Sequence, residues 1–61
     1  MTKKDLYEKY LCNLSVKEQM EFYERPFDLA EYIERQSKER FPGEKINSFE
    51  VAAQILDYMR E

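Results

Sequence analysis

Four times in this chain a residue whose short side chain suits a helix start stands three places ahead of an acid. The pairs are Thr2 and Asp5, Ser15 and Glu18, Asp28 and Glu31, and Asn47 and Glu50. At that spacing the cap oxygen accepts from the backbone N–H three residues on, and the acid reaches back to the N–H of the cap. Two of the four orphan donors of a helix start are then satisfied locally. Three of the pairs are bracketed by apolar residues at staple spacing: Met1 with Leu6, Phe27 with Tyr32, and Ile46 with Val51. Stop signals alternate with the starts. Asn13 can take the left-handed conformation after a first helix, Pro26 restricts Arg25 and ends a second, and Pro42-Gly43 ends a third. The pattern predicts helices over about 3–12, 16–25, 29–40 and 48–60. No apolar–polar alternation runs far enough to compete as a strand. The expected fold class is all-α: one domain, residues 1–61, built as a compact bundle of four short helices.

Each helix is then expected to bury one face. Leu6, Tyr7, Tyr10, Leu11 and Leu14 share a side of the first, with Cys12 turned away. On the second, Val16, Gln19, Met20 and Tyr23 align and Phe22 points elsewhere; on the third, Leu29, Tyr32, Ile33 and Gln36 align. The fourth is broader. Phe49, Ala52, Ala53, Leu56 and Met59 form one stripe and Val51, Ile55 and Tyr58 an adjoining one. A helix apolar around so much of its circumference belongs inside, so the C-terminal helix is expected to be central, with the first three around it.

Composition enters where it excludes chemistry. The chain has no His and no Trp, one Cys and one Gly. Without His there is no imidazole base and no Ser-His-Asp or Cys-His set. One Cys and no His cannot build a zinc site, and a single glycine, Gly43, excludes glycine-rich phosphate loops. The expectation is no enzyme, no catalytic residues, no cofactor, no metal and no small-molecule substrate. Met1–Leu6 leads into no apolar run, so no signal peptide is expected. A membrane span needs roughly 20 apolar residues in a row, and none occurs. One cysteine in so short a chain points to a reducing, cytoplasmic setting.

Charge is unevenly placed. Residues 1–17 carry four Lys against Asp5 and Glu8, residues 18–34 carry six acids against Arg25, and the remainder balances. The acids Glu18, Glu21, Glu24, Asp28, Glu31 and Glu34 recur every three or four residues and avoid the apolar faces. They serve either as a solvated surface favourable to helix N-termini or as a surface that docks on a basic protein patch. Phe22, with Glu21 beside it, has the character of an interface anchor, and Val51 and Tyr58 extend the apolar surface of the last helix. The cations Arg35, Lys38, Arg40 and Lys45 are interleaved with Glu39 and Glu44 and read as complements to a helix C-terminus. The five tyrosines fall mostly at core spacing.

The candidate partner-binding residues are therefore Glu18, Glu21, Phe22, Glu31, Glu34, Val51 and Tyr58. The expected function is that of a small non-catalytic protein-binding module that masks or docks on a larger protein. Size and acidity suit an inhibitor or regulator encoded by a phage or mobile element. Two alternatives stand beside it. One is a helix-turn-helix-like DNA-binding protein, disfavoured because the reading helix would begin with Asp28, Glu31 and Glu34. The other is an assembly element, as a small homodimer, built on the fourth helix.

Overall fold

The computed structural model describes residues 2–61, so the Met1–Leu6 staple lies outside the described residues. Within them the chain forms α1 (Lys3–Tyr10), α2 (Val16–Glu24), α3 (Pro26–Arg40) and α4 (Ser48–Arg60). Three starts carry a side-chain cap, two of them with the full reciprocal pair and Asn47 without a return bond from Glu50. The Thr2 hydroxyl accepts from Asp5 N at 3.1 Å while Thr2 N donates to the Asp5 carboxylate at 3.1 Å. Ser15 and Glu18 form the same reciprocal pair. Asn47 Oδ1 accepts from both Phe49 N and Glu50 N.

The third start differs from its expectation. Pro26, not Leu29, opens α3, with Arg25 at the cap position and no side-chain cap bond. Proline suits that place because its φ is already helical and its missing N–H is one of the donors a helix start leaves unused. Asp28 is thus inside the first turn, where its charge complements the helix dipole, and the Asp28–Glu31 box does not form. Asn13 does not take the left-handed conformation: among the described residues only Gly43 has positive φ, at 94°. α1 instead ends two residues earlier than expected, in a turn where Leu14 N donates to Leu11 O at 3.1 Å.

α4 lies in the middle, packed against α3 on one side and α1 on the other, and α2 packs against α3. The fully buried side chains are Leu11, Leu29, Ile33 and Ile55, one or two from each of the α1, α3 and α4 segments. Val51, Ala52 and Leu56 complete the inner face of α4. Long-range ion pairs at both of its ends fix α1 antiparallel along α4. Lys3 Nζ lies 2.8 Å from Asp57 near the end of α4, and Lys9 Nζ lies 2.6 Å from Glu44 in the loop before it. Lys9 also sits 4.3 Å from the centre of the Phe41 ring, so one ammonium clasps the loop by charge and by cation–π contact.

α2 is attached in another way, since none of its residues is fully buried. Gln19 is its main tether. Gln19 Nε2 donates to Leu11 O and Leu14 O, both at 3.1 Å, and Gln19 Oε1 accepts from the Tyr7 hydroxyl at 2.8 Å. One amide thereby ties α2 to the carbonyls of Leu11, the C-cap of α1, and of Leu14 in the turn that follows. The apolar contact comes from Phe22, whose ring lies 5.0 Å from that of Tyr32. This rotates the expected face: Gln19 and Tyr23 turn inward as expected, but Phe22 joins them while Val16 is 76% exposed and Met20 49%. The stripes Val16–Met20–Tyr23 and Gln19–Phe22–Tyr23 are nearly equal on a helix of nine residues. The partners available on α1 and α3 choose the second.

Candidate functional site

The same shift in the start of α3 creates the surface feature that stands out. With Pro26 as the first helical residue, Phe27 points away from Ile33 and Leu29 and toward the start of α4. It does not staple to Tyr32; its ring meets Phe49 edge-on, with centroids 6.0 Å apart. Phe27 is 74% exposed and Phe49 61%. Between and beneath them Pro26, Ala52, Ala53 and Leu56 line a groove of about 210 Å3. Small residues at 52 and 53 let the surface sink there, and the groove is walled almost wholly by carbon. Large aromatic side chains left in water, converging on one depression, are the usual mark of a contact surface.

Around the corner, Glu21, Phe22, Glu24, Arg25 and Asp28 border a cleft of about 350 Å3 where α2 turns into α3. Arg25 approaches Asp28 at 3.9 Å, with both side chains mostly in solvent. Glu31 and Glu34 lie further along α3, four and seven residues after Phe27 and hence on its face of the helix. Glu34 is partly engaged by Lys38 at 3.4 Å. Both acids are exposed.

The seven residues singled out from the sequence therefore scatter into different roles. Glu21, Glu31 and Glu34 are exposed along the α2–α3 side, and Phe22 is half-buried between Glu21 and the Tyr32 ring. Glu18 is exposed but committed to the Ser15 cap. Tyr58 is half-buried, its ring 5.2 Å from Tyr7, beside an open cleft shared with Gln19 and Met59. Val51 faces the core at 8% exposure, which corrects its reading as a contact residue: α4 spends that side on the other helices. Phe27 and Phe49 were assigned to a staple and a buried stripe. The signal that could have found them is Pro26 itself, since placing it first in the helix puts Phe27 in line with Glu31 and Glu34 on the polar face.

Among the described residues no group of three potential metal ligands converges, and no helix is long and apolar enough to cross a membrane. Among the described residues, three side chains are shifted from their ordinary range. Hydrogen bonding and attraction to Asp57 raise the Lys3 ammonium, and the same pair lowers the Asp57 carboxyl. Hydrogen bonds from the Thr2 backbone and hydroxyl lower the Asp5 carboxyl. All three are structural positions at helix ends, away from the aromatic groove. The chain is thus an all-α bundle with a carbon-lined groove between Phe27 and Phe49 and a separate, more acidic cleft around the corner. Compared with known proteins, it matches no family model, no curated protein and no solved structure.

Proposed function

We propose that this chain is a non-catalytic protein-binding module that docks on, and masks, part of a larger protein. The observation that carries the reading is the exposed Phe27–Phe49 pair over its carbon-lined groove. Two aromatic rings left in water in a chain with so small a core favour a surface kept for a partner. Aromatic anchors in a central pocket are where binding energy concentrates. An exposed free thiol at Cys12 agrees with a reducing, cytoplasmic setting, and an inhibitor or regulator is the role this size suits. The helix-turn-helix alternative is less well supported. Asp28, Glu31 and Glu34 occupy the exposed face at the start of α3, where phosphate contacts would be needed.

The test is comparative affinity capture from the native cell, with the wild-type chain and a Phe27→Ser/Phe49→Ser chain as baits. The reading expects one protein retained by the wild type and lost from the variant, with both baits equally helical by circular dichroism. An identical set of captured proteins from both baits would overturn it.

A further inference from the structure

Resting on the docking reading, we propose that the Phe27–Phe49 groove receives an apolar side chain from a cationic amphipathic segment of another protein, the acids around the α2–α3 corner selecting its charge. The groove's size comes first. At about 210 Å3 it is smaller than the roughly 300–1,000 Å3 typical of small-molecule sites. Its lining of Pro26, Phe27, Phe49, Ala52, Ala53 and Leu56 offers no side-chain donor or acceptor to orient a metabolite. What fits such a depression is an aliphatic or aromatic side chain carried on a larger surface.

The surroundings specify the rest of that surface. From Glu18 to Glu34 six acids face one cation, Arg25, and Arg25 is already directed at Asp28. Glu24 and Asp28 border the separate cleft around the helix corner, and Glu31 is exposed on α3 one turn after Phe27. Neither Glu24 nor Glu31 makes an ion pair among the described residues. A segment whose apolar residue enters the groove therefore brings its neighbours over unpaired carboxylates, where Lys or Arg is attracted and Asp or Glu repelled. The same geometry speaks against a second copy of this chain. A two-fold contact through the groove would set one acidic corner against the other.

The experiment uses the full chain, 15N-labelled, titrated with two synthetic amphipathic peptides that share a leucine stripe. One carries lysine and the other glutamate at its polar positions. The lysine peptide is expected to shift the amides of Phe27, Phe49 and Ala53 saturably and to weaken as salt is raised. It is also expected to bind about tenfold more weakly to Phe27→Ser, roughly 1.4 kcal/mol. The variant Glu24→Lys/Glu31→Lys, which leaves the core untouched, is expected to transfer preference toward the glutamate peptide. Equal binding of both peptides, shifts confined to other regions, or Phe27-dependent self-association in sedimentation would each overturn the proposal. Failure here with Phe27-dependent capture of a partner would remove only the cationic chemistry. Capture insensitive to Phe27 would remove the docking reading itself.

Discussion

α4, of 13 residues, and α2, of 9, are both well capped at their starts, yet they are held in opposite ways. α4 places Val51, Ala52, Ile55 and Leu56 in the core, whereas α2 buries none of its residues completely. α4 is fixed by apolar burial between two neighbours. α2 is fixed at its edge by a glutamine amide on the carbonyls of α1 and by one aromatic contact on α3. The difference teaches where the stability of so small a chain resides: in the α1–α4–α3 layer, with α2 laid over it as a more detachable element. It also places the proposed contact surface, between the start of α3 and α4, on the well-packed layer and not on α2.

The comparison can be broken most forcefully at Ile55, which is wholly buried. Ile55→Ala is expected to cost about 2–5 kcal/mol in chemical denaturation, through lost transfer energy and the cavity left behind. In a chain this short that loss is enough to leave much of the population unfolded. Gln19→Ala comes next, at about 1–3 kcal/mol, since it takes the amide partner from the Leu14 carbonyl and the Tyr7 hydroxyl and leaves Leu11 O only its bond from Leu14 N. Hydrogen exchange should then show the α2 amides losing protection ahead of those of α4. A loss spread evenly over all four helices would contradict the division. Met20→Ser sharpens the same point from the other side. Because Met20 is largely in solvent, its replacement is expected to change stability by less than about 0.5 kcal/mol; a core-like loss would return it to the buried stripe.

The smallest effect is electrostatic. Asp57 is lowered from its ordinary 3.8 by Lys3, so its contribution is present above that value and disappears as pH falls through the folded one. Lys3 is raised from 10.5 by Asp57, so its contribution is complete below 10.5 and is lost as pH rises through the folded value. The α1–α4 clasp should therefore hold between these limits and open beyond them. The difference in melting temperature between the wild type and Lys3→Met is expected to be constant near neutrality. It should vanish at both extremes and shrink with added salt.

Much of this architecture was legible from local chemistry. The caps at Thr2, Ser15 and Asn47 and the stop at Gly43 are decided within a few residues, and the breadth of apolar residues on α4 made its central place inescapable. What escaped depends on contacts between distant segments. Lys3 and Asp57 are 54 residues apart, and nothing near either announces the other. The inner face of α2 is chosen by Tyr32 and by the carbonyls of α1, not by its own periodicity. The groove was hidden by a local ambiguity: Asp28 is a good cap and Pro26 a good first residue, and only one can start α3. Choosing Asp28 sends Phe27 inward; the proline sends it out to meet Phe49.

Whether Phe27 serves a partner or the fold is settled most directly by the stability of Phe27→Ser under denaturant. If the ring is kept for contact, its loss removes one edge-on aromatic pair and costs no more than about 0.5–1.5 kcal/mol, with the far-UV spectrum unchanged. A loss of about 3–5 kcal/mol, the cost of emptying a core aromatic site, would show that Phe27 holds the bundle together and that the groove is not a docking surface.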